Sequence, residues 1–513
     1  MNKYIKRISC LVCITLISLV IHACKDFLNV VPKDKLTGNN FFQSKEDVEA
    51  NITKMYSDFF EKINESHVIG AIGEYRSGEV FRSPEKEGDN ARLIVEVLGQ
   101  NDLLYAIDAG APWGWYNLAR ITNWTQYYRV VQAANILIDK LEEGIPDLGE
   151  SDTRRYLGEA TFIRCFTYFW MVRLYGDVVY YTTPYQADPL PRMPMVEVLN
   201  NCIADMKSRM EGMPWTNGDP AQRGARASRG SAAALVMHMN MWNAGFDKNN
   251  RNKYYEETAA FGDQLIKSGA YQLLPMTIEG WSQVVKGRSP ESLFEFFRSI
   301  NYDDNNEALA PFGDHFLRWP YKFPRYNNNN SMAYFNSFYM NTLYPADVAD
   351  LRKTIWYEDM LSNSGRFLIL KYAYNTYASG NEDRNPDNTF LIFRYADAIL
   401  LRAEALAELN QDAAAIEALN MIRNRAEAPV YDGGGGTPLK NFIFLERARE
   451  LLGEGHRYFD LVRTGRIMNA QFARRPMTLD QYNRRAWTWP IDQSARNNNP
   501  LMSLNEFWTN GGI

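Results

Sequence analysis

Between Glu446 and Arg463 the chain carries Glu446, Arg447, Glu450, Glu454, Arg457, Asp460 and Arg463. Glu446 and Glu450 fall four apart, on one face of a helix, as do Glu450 and Glu454. Two carboxylates about 5–9 Å apart are the equipment of glycoside hydrolysis. Arginines are interleaved with these acids at i+3: Glu446 with Arg449, Arg457 with Asp460, and Asp460 with Arg463. Opposite charges so spaced neutralise one another. The block is therefore read as structural, tying the last helices to the body, since buried pairing of this kind sets geometry more than it adds stability. Arg394-Tyr395-Ala396-Asp397 reads the same way, as a helix-start Asp favoured by the helix dipole beside a packed Tyr. His67, His238, His315 and His456 show no metal-ligand spacing, and HExxH is absent. No catalytic residue and no metal ligand is assigned, and the chain is expected not to be an enzyme.

The second reactive group is the thiol of Cys24. Met1–Ala23 carries Lys3, Lys6 and Arg7, then an apolar run from Ile8 to Ile21, with no acid before Asp26. That is a secretory signal, too short to span a bilayer as a helix. Cleavage after Ala23 leaves Cys24 at the new amino terminus, and Ile21-His22-Ala23-Cys24 resembles the lipobox of bacterial lipoproteins, in which that cysteine is acylated. Several acyl chains hold a protein to a bilayer almost permanently, each buried methylene adding roughly 0.8 kcal/mol. The expectation is a soluble body on a lipid tether.

The third chemistry is carried by rings. The chain holds 12 Trp, 30 Tyr and 27 Phe among its 513 residues, more than a core of this size calls for. A flat indole or phenol matches the C–H face of a pyranose, and its polar edge can bond hydroxyls. Trp113 and Trp115 lie in a Gly/Pro-containing loop; Trp319, Tyr321 and Phe323 punctuate a proline-rich one. Trp113, Trp115, Trp319 and Tyr321 are the candidate ligand-binding residues, with Trp281 a weaker one. Trp170, Phe166 and Trp242 fall in helical patterns and are assigned to the core. The net charge is −5 and becomes more negative once Lys3, Lys6 and Arg7 leave with the signal. An acidic surface argues against nucleic acid as a partner. Cys10 and Cys13 leave with the signal too, and Cys165 and Cys202 are expected to be buried free thiols.

These rings need a scaffold, and its pattern is helical. Residues 24–37 read as an extended tether; Ser44 then caps a helix through about Ile63, with Val48, Ile52, Met55 and Phe59 on its buried face. Residues 64–115 are irregular. Helices are expected over 127–141, 159–178, 195–210, 226–242, 254–268, 394–409 and 413–426. The one at 159–178 is apolar on most sides, so it must be covered on several of them. Residues 270–390 are rich in Asn, Tyr and Pro, with short strand-like pieces such as Leu293–Phe297, and are read as loop-rich and ligand-facing. The hairpin at 394–426 suggests a tetratricopeptide-like unit. Gly433 to Gly436 read as a hinge before the last helices.

RYADAILLRAEALAEL (394–409), LNMIRNRA (419–426), ERARELLGEGHRYFDLVRTGR (446–466) and WPID (489–492) closely resemble, in order, the signature blocks of the SusD/RagB family. CKDFLNVVP at the lipidation point and EATFIRCFTYFWMVRLYGDV upstream resemble it also. Asp492 and Val179 stand where that family commonly has proline. The resemblance implies a mainly α protein, a tetratricopeptide-like helical-hairpin solenoid with a loop-rich insert and minor β-hairpins. It divides the chain into a signal peptide (1–23), a lipidated tether (24–45), an N-terminal helical region (46–269), a variable region (270–390) and a C-terminal family region (391–513). It implies an outer-membrane lipoprotein facing outward, touching the membrane only through its anchor. Such a protein captures oligosaccharides, or peptides in the RagB branch, and hands them to a SusC-like TonB-dependent β-barrel transporter. In related proteins, aromatics from similar regions form the sugar-binding arc. No cofactor is implied; a calcium ion bracing a loop is left open.

Overall fold

The computed structural model describes residues 42–64, 73–86, 92–108, 118–298, 312–322, 325–373, 376–377, 385–386, 388–497 and 499–509. Cys24, Trp113, Trp115 and Phe323 lie outside them. The longer α-helices are α1 (Lys45–Asn64), α2 (Thr125–Glu143), α3 (Glu150–Tyr175), α4 (Met195–Arg209), α5 (Arg229–Phe246) and α6 (Arg251–Lys267). After them come α7 (Ile278–Lys286), α8 (Ser337–Leu343), α9 (Tyr395–Glu408), α10 (Asp412–Arg425), α11 (Thr437–Glu450) and α12 (Arg457–Arg463). None of the described helices is long and apolar enough to cross a membrane.

Local chemistry sets the helix ends. Ser44 Oγ accepts from the Asp47 amide at 3.3 Å while Asp47 Oδ2 accepts from the Ser44 amide at 2.9 Å, so two otherwise orphaned donors are satisfied at the start of α1. The expected face of α1, Val48, Ile52, Met55 and Phe59, is buried. Ser228 and Ser231 form the equivalent reciprocal cap on α5. The helix expected from residue 159 starts at Glu150 instead; its first turns, ESDTRRY, are polar and largely outside the core, so an apolar pattern could not reveal them.

Successive helices pack side by side: α1 on α2, α2 on α3, α3 on α4, α4 on α5, α5 on α6, α6 on α9, and α9 on both α10 and α11. The array is a solenoid of helical hairpins, as expected, and it runs straight from α6 to α9 across the long insert. Gly262 makes that step possible, because a Cβ there would stand 2.7 Å from the Arg402 Cβ on α9. Buried apolar residues from Phe42 to Trp508 form one continuous core. Trp170, Phe166 and Trp242 belong to it, and Cys165 and Cys202 are buried free thiols. Cys165 Sγ lies 3.5 Å from the Cys202 carbonyl, joining α3 to α4.

Ten short strands occur among the described residues: β1 (Val80–Arg82), β2 (Val178–Val179), β3 (Arg192–Met193), β4 (Ser292–Phe296), β5 (Ala333–Phe335), β6 (Tyr357–Glu358), β7 (Leu368–Ile369), β8 (Thr376–Tyr377), β9 (Asn385–Pro386) and β10 (Phe390–Arg394). They form antiparallel two-stranded ribbons, β1 with β5, β2 with β3, β4 with β10, β6 with β7 and β8 with β9. The β4–β10 ribbon is buried except at Phe390, which is half-buried. Phe294 and Phe393 meet Phe166 edge-on at 5.1 and 5.9 Å between ring centres, which supplies the extra cover that α3 required. The strand-like piece expected at Leu293–Phe297 is β4, and the insert carries short ribbons between its loops. Of the glycines before α11, Gly435 is held closely, since a Cβ there would fall 1.7 Å from Asp412 Oδ2, while Gly434 and Gly436 face open space.

Candidate functional site

The interleaved charges near the C-terminus form a closed lattice. Glu446, Glu450, Arg352 and Arg394 have no exposed surface. Arg352 reaches Asp350 at 2.7 Å, Glu446 at 2.7 Å and Glu450 at 3.0 Å. Arg423 and Arg449 close on Glu446 Oε2 at 3.0 and 2.8 Å. Arg394 spans Glu291, Glu450 and Glu454 at 3.2, 2.8 and 2.7 Å, and Arg425 joins Glu291 to Glu450. Burial pushes the Glu446 carboxyl up, but Arg352, Arg449 and Arg423 outweigh it and hold it at about 2. Glu450 is held far below the usual carboxylate range by Arg425, Arg394 and Arg352 in the same way. Neither carboxylate can protonate a leaving group near neutral pH, and no substrate can reach either. The pairs Glu446–Arg449 and Asp460–Arg463 form as expected, the latter at 2.7 Å.

Arg457 does not pair with Asp460. It donates to the Phe472 carbonyl at 2.7 Å and lies over the Phe444 ring at 4.8 Å, while Arg447 takes Asp460 at 3.0 Å. Asp397 lies in the first turn of α9 beside the buried Tyr395, as expected. It is fully buried, accepting from His238 Nε2 at 2.6 Å and Arg447 Nη1 at 2.8 Å, so it is an ion-pair junction as well. His456 completes a cluster with His238 and Asp397 whose ligand atoms lie within 4.8 Å of one another. Three segments far apart in sequence build it, so spacing could not show it. Its carboxylate is already paired with Arg447 at 2.8 Å. Burial pushes His456 down to about 4 and lowers His238 as well, leaving two neutral rings stacked at 5.5 Å between centres.

The exposed rings lie elsewhere. Trp319 is 38% exposed and rigidly held. Its amide donates to the Asn328 carbonyl at 2.7 Å and the Tyr321 amide to the Arg318 carbonyl at 2.7 Å. The Arg325 guanidinium stands 4.5 Å from the centre of its ring. Arg318 anchors the loop to the β6–β7 ribbon through Glu358 at 2.8 Å. Tyr321 is half-buried against a small satellite core of Leu317, Leu368, Leu370 and Ala373, so it braces the loop that presents Trp319. Trp281 is removed from the candidates. It is 1% exposed, donates to the Lys371 carbonyl at 2.8 Å and packs on Trp356.

The structure brings together the two irregular segments that sequence treated separately. β1, from the first, pairs with β5, from the insert. Tyr75 bonds His315 across them, Lys86 bonds the Asn327 carbonyl, and the Gly365 amide donates to Glu85 Oε2 at 2.9 Å. Elsewhere in the insert Phe338 is 79% exposed and Leu361 47%. Asn363 ties their two elements, accepting from the Ser337 amide at 2.9 Å and donating to Ser337 Oγ at 2.8 Å. Sequence reasoning missed Arg325, Phe338 and Leu361; the Asn327 to Asn330 run was the one local sign of a polar surface here.

Comparison with known proteins gives a consistent picture. Residues 357–508 match the family model described as the SusD family, and residues 40–239 match a model described as starch-binding and associating with the outer membrane. A SusD homolog of Bacteroides thetaiotaomicron is 34% identical; the match covers 91% of this chain and 99% of that one, with a TM-score of 0.81. A SusD-like protein of Formosa agariphila is 26% identical over 98% of this chain and 99% of its own. A laminarin-binding SusD-like protein shares the fold at 18% identity and a TM-score of 0.68, over 90% of this chain and 99% of that one.

Proposed function

Since the chain belongs to the SusD family, a family of carbohydrate-binding proteins associated with the outer membrane, we propose that it is a lipid-anchored receptor that captures oligosaccharides outside the cell without transforming them. It passes them to a SusC-like TonB-dependent transporter. The observation that carries this reading is the Trp319 ring, part exposed, with its backbone hydrogen-bonded and Arg325 over the ring, in an insert whose strand β5 pairs with β1 of the earlier irregular segment. A rigid platform binds with little ordering cost, which is what separates a sugar site from a stray surface ring. The neutralised, inaccessible state of Glu446 and Glu450 supports binding rather than hydrolysis. The laminarin-binding relative supports a glycan as the ligand. Trp113 and Trp115, which precede α2 in the sequence, are proposed as further ligand contacts, and Tyr321 as support for Trp319.

Affinity gels and titration calorimetry with laminarin- and starch-type oligosaccharides, with peptides as controls, test the site. Trp319→Ala is expected to weaken glycan binding at least about tenfold while leaving the melting temperature in place. Unchanged affinity would remove Trp319 from the site. The anchor is tested separately: a palmitate analogue is expected to label the wild type and not Cys24→Ala, and equal labelling of both rejects lipidation at Cys24.

A further inference from the structure

A recess of about 350 Å³ opens where the end of α8 meets the turn from α10 to α11. Two half-buried rings line it, Tyr431 in the turn and Phe442 on α11, packed together at 4.7 Å between centres. Tyr431 is fixed at three points. Its amide donates to Asn420 Oδ1 at 2.8 Å, its carbonyl accepts from Asn420 Nδ2 at 3.4 Å, and its hydroxyl donates to the Gly434 carbonyl at 2.7 Å. The lining at Pro345 and Val348 is held too, because Lys353 Nζ donates to both of their carbonyls, at 2.9 and 2.6 Å. A cleft built in this way leaves little ordering cost to binding. Its charges balance: Arg423 and Arg449 line it together with Asp350 and Asp432. The two arginines share Glu446 Oε2, and their Nε atoms donate to the Pro429 and Leu343 carbonyls. Both side chains are more than nine-tenths buried, yet Nη2 of each makes no hydrogen bond among the described residues. Asp350 is engaged by Arg352 at 2.7 Å, whereas Asp432 is exposed and has no ion pair among the described residues.

We propose that this recess is an auxiliary site for one or two units of a neutral saccharide, separate from the Trp319 loop. The inference rests on the reading of the protein as a saccharide receptor and adds a second place where it grips its ligand. A pyranose brings an apolar C–H face for Tyr431 or Phe442 and hydroxyls that both donate and accept. Its oxygens can take the unused Nη2 hydrogens of Arg423 and Arg449, and a hydroxyl hydrogen can go to Asp432; hydrogen bonds with one charged partner are the stronger kind. With two guanidiniums set against two carboxylates, an acidic ligand gains no net attraction here. A wholly apolar ligand would cover the Nη2 groups without pairing them, which is costly. The volume lies at the lower end of the range for ligand clefts, about 300–1,000 Å³, which suits a short ligand. Arg318, Trp319, Tyr321 and Arg325 line no part of the recess, so the two sites can be disabled one at a time.

The test titrates the mature chain with laminarin- and starch-type disaccharides, with an acidic disaccharide and short peptides as controls. Wild type, Trp319→Ala, and Trp319→Ala combined with either Tyr431→Ala or Asp432→Ala are compared by calorimetry. Trp319→Ala alone is expected to keep saturable binding of a neutral disaccharide. Adding Tyr431→Ala or Asp432→Ala is expected to weaken that remaining binding at least about tenfold, and added salt to leave it unchanged. Loss of all disaccharide binding on Trp319→Ala alone, or remaining binding that neither added substitution weakens, overturns this inference and leaves the receptor reading intact. Binding of no saccharide by the wild type overturns both. Tighter, salt-sensitive binding of the acidic disaccharide that falls with Tyr431→Ala rejects the neutral class. Tyr431-dependent binding of peptide in place of saccharide assigns the recess to a protein contact and rejects the sugar site. Because Asp432 is exposed, an unchanged melting curve for its variant shows that lost binding is not lost folding.

Discussion

Glu450 and Trp319 stand in two contrasting regions. Around Glu450, three arginines converge on one carboxylate with no exposed surface, and charge is consumed inside the protein. Around Trp319, one exposed arginine lies over one ring that keeps 38% of its surface exposed. The region richer in reactive groups is the one whose charges are spent on one another. Clustered acids and bases that satisfy one another become a clamp joining α9, α10 and α11 to the insert, whereas the poorer loop face retains unspent binding capacity. Residue type alone does not separate a clamp from a site; accessibility and pairing do.

That contrast breaks most visibly at the clamp. Glu450→Ala strands Arg352, Arg394 and Arg425 without their shared carboxylate, and breaking a buried network in this way costs about 3–5 kcal/mol. Chemical denaturation is expected to show that loss even without ligand, and a change below about 1 kcal/mol would mean the lattice is not a clamp. Trp319→Ala is the mirror experiment, costing at least about 1.4 kcal/mol of glycan binding, the equivalent of tenfold, with stability untouched. A fall in melting temperature comparable with that of Glu450→Ala would erase the distinction between the two regions.

A third, smaller effect sharpens it. Glu74 is buried like Glu450 but has no direct ion pair among the described residues; its Oε1 accepts from the Gly455 amide at 3.1 Å. Burial pushes its carboxyl up to about 8, against the weaker pull of the Gly455 hydrogen bond and of Arg457. The folded protein therefore keeps a proton that the unfolded chain releases above its ordinary value of 4.5. Stability from this group is present below that value and is lost as pH rises through about 8. Glu74→Gln keeps the acceptor and removes the titration. It is expected to gain about 1–3 kcal/mol over wild type at pH 9 and nothing near pH 4, measured by denaturant unfolding at both. Equal differences at the two pH values would show that Glu74 is ionised in the fold.

The helical array was legible in the chain because its signal is local. Val48, Ile52, Met55 and Phe59 announce the buried face of α1, and Ser44 with Asp47 announces its start. The start of α3 was missed because Glu150 to Arg155 are polar and leave no apolar trace. The charged block was legible as a clamp but not in its wiring. Arg352 meets Glu446 from 94 positions away, so the true partner of each charge was not the nearest in sequence, as Arg457 illustrates. Trp281 and Trp319 were both read from sequence as candidate ligand contacts. One is sealed against Trp356 and the other is open, and only the packing of the insert decides which.

By itself the sequence determined most of the helices and the family, because these depend on residues a few positions apart or on ordered blocks. Tertiary structure alone decided which carboxylates were cancelled, which rings stayed uncovered, and that Pro345 and Val348 would share one recess with Tyr431 and Phe442. The reason is physical: burial and Coulomb energy depend on distance through space, and a distance between residues separated by a hundred positions is fixed only when the chain has packed.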